Sequence, residues 1–332
     1  MDILTQGLLG GVLAQSVAKK EETKLATLIG VIAGLLADAD IFIYSSSDPL
    51  LNIEFHRHFT HSLFFIPIGA AIAMALLWPF LKNRLPAGRL YLYSLLGYSM
   101  SGLLDACTSY GTHLLWPFSD ERVAFNLISI IDPIFTLSLL ITLLYSLRVK
   151  RQRIAHIGLL VVAAYMLLGY IQLQRATNEA TSLITSRGHQ TNQSLIKPTI
   201  ANLLLWRSVY VHQDKIYVDA IRVGIFSKSK VFEGESVKKL STNDLPKLES
   251  SSILYRDIQR FTSFSNNFVA FDPTQENVIG DLRYSMLPTS TKPLWGIVIN
   301  KDKPQEHADY KFYRDNGQQV RQEFFNMLMW SE

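Results

Sequence analysis

The chain has 332 residues, 48% hydrophobic and 18% charged, with a mean hydropathy of +0.15. That is too apolar for an ordinary soluble domain and far from the composition of a disordered tail. The net charge of +4 is small and the basic residues form no stripe, which argues against nucleic-acid binding; the single cysteine, Cys107, excludes an internal disulfide and a cysteine-rich metal site. Any metal would be held by carboxylates and the eight histidines.

Apolar windows of about 19 residues recur at 3–18, 24–44, 61–81, 90–108, 127–147 and 154–173. They predict an α-helical membrane domain of about six spans over residues 1–173. The first window would rise only about 24 Å at helical pitch, so it must thin the bilayer or form a re-entrant arm. No cleavable signal peptide is expected, because Met1-Asp2 lacks a basic region and Lys19-Lys20 follows the first apolar stretch. Residues 174–197 read as a polar helical linker. From 198 to 332, polar and apolar residues alternate around aromatics, as at 208–219, 221–232 and 295–300, the period of half-buried strands. A small β-rich domain is expected there, closed by a helix within 310–330.

Loop charge gives an orientation. The connections 19–24, 82–89 and 148–153 hold ten Lys and Arg residues, against only Arg57 and Arg122 in loops 45–60 and 109–126. Positive-inside then puts the first set in the cytoplasm and the N-terminus, the other two loops and the C-terminal domain outside.

The acids are just as uneven. Of the eleven before Arg153, all but Glu21 and Glu22 fall at or beyond the outer ends of the spans, and His56, His58, His61 and His113 lie there too. Asp38, Asp40 and Asp105 sit at the C-terminal ends of the second and fourth windows, where the helix dipole opposes negative charge and a bound cation would reverse the sign. Residues two apart on an α-helix diverge, so Asp38 and Asp40 face one ion only if the helix unwinds. His56-Arg57-His58-Phe59-Thr60-His61-Ser62 leads into the third window, where a helix N-terminus and Arg57 suit an anionic group. Asp132-Pro133 reads equally as an N-cap and as a residue supporting the site. Trp116 and Phe118 read as interfacial aromatics.

Met1-Asp2-Ile3-Leu4-Thr5-Gln6, Asp38-x-Asp40, His56-Arg57-x-x-Thr60-His61-Ser62, Leu104-Asp105, Tyr110-Gly111-Thr112, Leu115-Trp116-Pro117-Phe118-Ser119 and Asp132-Pro133 occur in the order found in the YdjM-like family. That family is described as inner-membrane metal-dependent hydrolases. The resemblance covers residues 1–140 and continues more faintly at Leu205-Trp206-Arg207 and Asp281-Leu282-Arg283-Tyr284. The chain departs from the family at Ala37, where Pro is usual, at His58, where Gly is usual, and at Ser101, where the family has a His one turn before the Asp matching Asp105.

The resemblance implies a multi-pass protein of a bacterial inner membrane with an extracytoplasmic hydrolase site. Asp38, Asp40, His56, His61 and Asp105 would hold one or two divalent ions, zinc before others, with His58 or His113 substituting for the missing imidazole. Arg57 and Asp132 would be catalytic. The substrate class suggested by a site at headgroup depth is a lipid or other amphipathic ester, a phosphoester being favoured by Arg57. Membrane lipids are the expected partners and nucleic acid is not; the sequence names no protein partner. The rival reading is a non-catalytic membrane scaffold with a degenerate metal site. A transporter is disfavoured because the acids gather at span ends rather than at mid-membrane.

The ten-to-two charge asymmetry makes a topological prediction. Reporter fusions after residues 85 and 150 should report cytoplasm and those after 115 and 200 the outside; the reverse pattern at 85 and 200 would overturn the orientation.

Overall fold

A computed structural model of the chain describes residues 1–245, 248–314 and 317–330. In order, the helices are α1 (Ile3–Ser16), α2 (Thr23–Leu36) with a 3-10 continuation Ala37–Phe42, α3 (Leu50–Phe55), 3-10 turns Phe59–His61 and Leu63–Phe65, α4 (Ile66–Leu81), α5 (Ala87–Ser99), α6 (Ser101–Ala106), α7 (Pro133–Val149) and α8 (Gln152–Ser186). Then come β1 (Ser194–Pro198), β2 (Leu205–His212), β3 (Lys215–Val223), β4 (Ser229–Lys238), α9 (Ile253–Phe264), β5 (Val269–Asp272), β6 (Gln275–Asp281), β7 (Trp295–Val298), β8 (Asp309–Phe312) and α10 (Gln318–Leu328). The chain divides into two compact units. The first comprises Met1–Ile43, Phe55–Ile171 and Ile200–Asn202, and the second Tyr44–Glu54, Gln172–Thr199 and Leu203–Glu332.

The first unit is helical. Among the described residues, three helical stretches are long and apolar enough to cross a membrane: Thr23–Phe42, Leu63–Leu81 and Gln152–Ser186; Pro133–Val149 is apolar but shorter. The six spans expected from hydropathy windows are not reached by this measure, for two physical reasons. Helix α1 has 14 residues and rises only about 21 Å, short of the ~30 Å hydrocarbon core. The 90–108 window is not one helix but two, α5 and α6, divided at Met100.

Caps explain where these helices begin. Asp2 caps α1 by accepting from Thr5 N at 3.0 Å, and Asp132 caps α7 by accepting from Phe135 N at 3.1 Å, with Pro133 as first helical residue. Helix α1 packs on α2, α5 and α7, and α2 packs on α5. At the closest point of the crossing, backbone meets backbone. A Cβ on Gly30 would collide with the carbonyl oxygen of Gly10, and one on Gly97 with that of Gly30. Small residues at such crossings allow the close van der Waals approach that holds helices together in lipid.

The second unit holds two four-stranded antiparallel sheets, ordered β1-β2-β3-β4 and β5-β6-β7-β8. The alternating runs are strands, but their limits differ from the sequence reading. The run 208–219 contains a tight turn at Gln213, whose φ of 53° is left-handed, and β1 and the end of α8 occupy the stretch read as linker. Period-two alternation continues through a two-residue turn, so it does not mark the turn. Leu254, Ile258 and Phe261 of α9 form the core of this unit with Ile279 and Ile297, joined by Leu50 and Ile53 of α3. The residues that carry the fainter resemblance are structural here. Arg207 donates to the carbonyls of Leu282, Leu287, Pro288 and Ser290, and Arg283 pairs with Asp281 at 2.7 Å.

The crossing gives a paired prediction. Gly30→Ala should destabilise the detergent-solubilised protein by about 1–3 kcal/mol, the usual cost of overpacking. Gly88→Ala, which meets nothing within 4 Å, should be neutral or slightly stabilising. Thermal unfolding of the two variants side by side checks this; equal effects would discount the crossing.

Candidate metal centre

Among the described residues of the first unit, one ligand atom each of Asp38, His61 and Asp105 lie within 4.8 Å of one another. Asp38 comes from the 3-10 continuation of α2, His61 from the turn Phe59–His61, and Asp105 from α6. His61 Nε2 is 3.3 Å from Asp38 Oδ1 and 3.1 Å from Asp105 Oδ2. The side chains of His61 and Asp105 are fully buried, whereas that of Asp38 is 13% exposed and forms the open edge. Gly102 makes the approach possible, since a Cβ there would overlap the carbonyl oxygen of His61.

The 3-10 winding decides what the two neighbouring aspartates do. At three residues per turn, Asp38 and Asp40 diverge by about 120°, and they reach opposite edges of the same imidazole. Asp40 lies 3.3 Å from His61 Nδ1 and 3.1 Å from His56 Nδ1. It also accepts from Arg57 N at 2.7 Å and Thr60 Oγ1 at 2.9 Å. Its lone pairs are therefore committed to orienting His61 and the loop, which leaves His61 Nε2 turned toward Asp38 and Asp105. A carboxylate behind a ligating histidine fixes ring orientation and raises basicity.

Gln6 completes the cluster. Its Nε2 donates to Asp105 Oδ2 at 3.1 Å and to Asp38 Oδ1 at 3.3 Å, while its buried Oε1 has no hydrogen-bond partner. Amide orientation is assigned from such contacts, and a turned amide presents Oε1 to the same space between the carboxylates. Asp105 is further met by the Met1 amino group and by Arg57 Nε at 3.0 Å.

Arg57 differs from the sequence reading. Its residue is 4% exposed, with NH1 directed to Thr108 Oγ1 (3.3 Å) and NH2 to the Met1 carbonyl (3.2 Å). The guanidinium thus faces the protein interior and acts as counter-charge to Asp105. Asp132 is the α7 cap, its carboxylate held by Tyr165 OH at 2.9 and 3.0 Å, and it is not one of the three convergent groups. The His58 and His113 rings meet at a tilt, centroids 4.5 Å apart, with Trp116 beside His58, in a separate aromatic cluster. Burial, with the nearby charges of Arg122 and His58, lowers the His113 pKa to about 4 and keeps that imidazole neutral. His56 is bound to Asp40 at the edge of the site. Ser101 Oγ donates to Gly34 O at 3.2 Å. It lies one turn before Asp105, and Gly34 one turn before Asp38, so Ser101 sits at the inner end of the cluster.

Sequence reasoning gave no role to Gln6, Thr60 or Tyr165. The usable signal was Gln6 itself, an uncharged polar side chain within an apolar helix, which is costly unless partnered. A second group, Asp48, Asp257 and His307 in the second unit, also lies within 4.8 Å. Arg260 occupies it, bonding to Asp48, Glu54 and Asp257 at 3.0, 2.6 and 2.9 Å, so it reads as an ion-pair network.

Comparison with known proteins supplies the context of the first unit. The family described as YdjM inner membrane protein matches residues 1–176, more than half of the chain. The inner membrane protein YbcI of Escherichia coli (strain K12) is 37% identical over 98 residues, 28% of this chain and 54% of that protein. The uncharacterized protein YfhP of Bacillus subtilis (strain 168) is 25% identical over 194 residues, 58% of each chain. The chain thus spans little more than half the length of these curated relatives. No solved structure matches it. On the extent of that family match, including all of the residues that build the cluster, the chain belongs to the YdjM inner membrane protein family.

Proposed function

We propose that the chain is a multi-pass inner-membrane hydrolase whose site, at the outward ends of α2 and α6, holds a divalent ion and acts on a lipid or other amphipathic ester, a phosphoester by preference. The observation that carries the reading is the convergence of two carboxylates and an imidazole from three separate elements. Three protein ligands with an open position are the donor pattern of hydrolytic metal sites, and Gln6, whose Nε2 lies against Asp38 and Asp105 while its buried Oε1 has no hydrogen-bond partner, would bring that oxygen to the ion if its amide were turned. Zinc is the ion favoured by the imidazole. When bound there, a divalent ion would act as a Lewis acid that lowers the pKa of water to about 7.

The remaining work falls to the chain. Asp38, His61 and Asp105 would be the ligands. Asp40 holds His61 by Nδ1, keeping Nε2 turned to the site. Arg57 offsets the charge of Asp105, with the Met1 amino group as a further hydrogen-bond partner, so Arg57 acts as a positioning residue. His56 and Asp38, at the exposed edge, are the groups an entering substrate meets first. The extracytoplasmic placement rests on loop charge, and the phosphoester preference on the chemistry of Arg57 in the sequence rather than on its inward-turned guanidinium.

The scaffold reading has one observation in its favour: Asp105 is already met by the Arg57 guanidinium and the Met1 amino group, so the cluster has protein partners without an ion. Metal content separates the two. The detergent-purified protein should carry a divalent ion, and Asp38→Ala or His61→Ala should lower its affinity by about tenfold or more, as loss of a ligand or its support does. Negligible metal in wild type and variants alike, after reconstitution, would reject the hydrolase.

Ser101 provides a gain-of-function test. Ser101→His adds an imidazole one turn from both Asp105 and the Asp38 side of the cluster, and should tighten zinc binding by about tenfold. Titration showing unchanged affinity would put residue 101 outside the site.

A further inference from the structure

Beside the polar cluster, in the same unit, lies an open apolar groove of about 420 Å³ between α1, α6, α7 and α8. Cavities of about 300–1,000 Å³ are the size that accommodates ligands. Leu9, Leu13, Leu104, Phe135, Val162 and Met166 are among its walls, and no charged or amide side chain lines it. A polar ligand would lose its hydrogen bonds there, so the occupant must be hydrocarbon.

Its position ties it to the site. Leu104 and Cys107 line it from either side of Asp105 in the chain, while Leu9 and Leu13 follow Gln6 at i+3 and i+7 along one stripe of α1. The groove thus runs from the polar cluster inward along the helix that carries Gln6. Its α8 wall, with Ala163 exposed, borders the outward residues Leu160 and Leu167, which are 70% and 59% exposed on an apolar helix long enough to cross the membrane. The groove is thus continuous with a lipid-facing surface, and on α1 and α6 its wall residues lie within one turn of Gln6 and Asp105, so a bilayer lipid can enter it chain-first with its polar end on the side of the cluster.

The geometry points to a binding site for one acyl chain of a membrane phospholipid, its head group directed to Asp38, His61 and Asp105. The hydrocarbon part of this inference stands on the groove alone, and only the fate of the head group rests on the hydrolase reading.

The full-length protein is reconstituted into vesicles of phosphatidylethanolamine and phosphatidylglycerol containing a trace of phosphatidylglycerol with a mid-chain diazirine, irradiated, and mapped by peptide mass spectrometry. Adducts should concentrate on the groove residues Ala163 and Met166 over the outward-facing Leu160 and Leu167. Ala163→Trp, which fills the mouth, should reduce groove adducts severalfold by steric exclusion and leave those at Leu160 unchanged. Even labelling of groove and outward residues in wild type would overturn the inference, as would undiminished groove labelling in correctly folded Ala163→Trp. In Asp38→Ala, metal content tests the hydrolase reading and groove labelling tests this one, so either can fail while the other stands.

Discussion

The backbones of α1, α2 and α5 meet at Gly10, Gly30 and Gly97 with no room for a side chain, and the polar chemistry of the first unit is measured out from that contact. Asp38 lies eight residues beyond Gly30, and Asp105 eight beyond Gly97. Gln6 lies one turn from Gly10, against Gly34 of α2, where a Cβ would press on its carbonyl oxygen. With the crossing fixed, the ends of three elements arrive together, and Gly102 then admits the backbone of His61 between them. Lipid offers no hydrophobic gain for bringing helices together, so van der Waals contact at small residues has to do it. The same closeness that holds the bundle sets the separation of its polar groups.

That geometry carries an electrostatic cost. Two carboxylates stand at the C-terminal end of α2 and a third in α6, where the helix dipole is unfavourable to them. The protein offsets this with groups that are also directional. Asp40 accepts from Arg57 N and Thr60 Oγ1 and lies beside His56 Nδ1 and His61 Nδ1; together with Thr60 Oγ1, 3.0 Å from His61 Nδ1, it holds the ring so that Nε2 faces the other two carboxylates. Arg57 is held in a left-handed backbone conformation, φ 60°, with its amide on Asp40 and its guanidinium on Asp105. One residue thereby links Asp40, which orients His61, to Asp105.

Much of this was legible in the sequence, and the parts that were not have physical causes. Asp38, Asp40 and Asp105 stand out at span ends and His56 and His61 in the histidine cluster; the helix does unwind at Asp38-x-Asp40, as the 3-10 segment Ala37–Phe42, yet only Asp38, His61 and Asp105 converge. Spacing could not say that the two aspartates would take opposite edges of one ring, because that depends on where the loop 56–61 returns. Arg57 reads as a substrate clamp from its chemistry alone, yet its guanidinium turns inward because Asp105, far along the chain, needs a counter-charge. The six hydropathy windows count apolar residues and ignore helix breaks, so they cannot see the division at Met100 or the shortness of α1. In the second unit, alternation located strands but passed through the Gln213 turn.

The partners in the cluster are spread along the chain in a way that bears on biogenesis. Asp40 is answered by residues 56 to 61, and Asp105 by residues 1, 57 and 61. When α2 first leaves the ribosome, its carboxylates have no partners, and they acquire them only after the next loop has been synthesised; Asp105 then has to find groups made long before it. A bundle in which α6 fails to dock leaves Asp105 and Arg57 apart at the edge of the hydrocarbon, each without its counter-charge. The few ionised side chains therefore act as a proofreading device for the many apolar ones, since only the correctly assembled bundle can neutralise them.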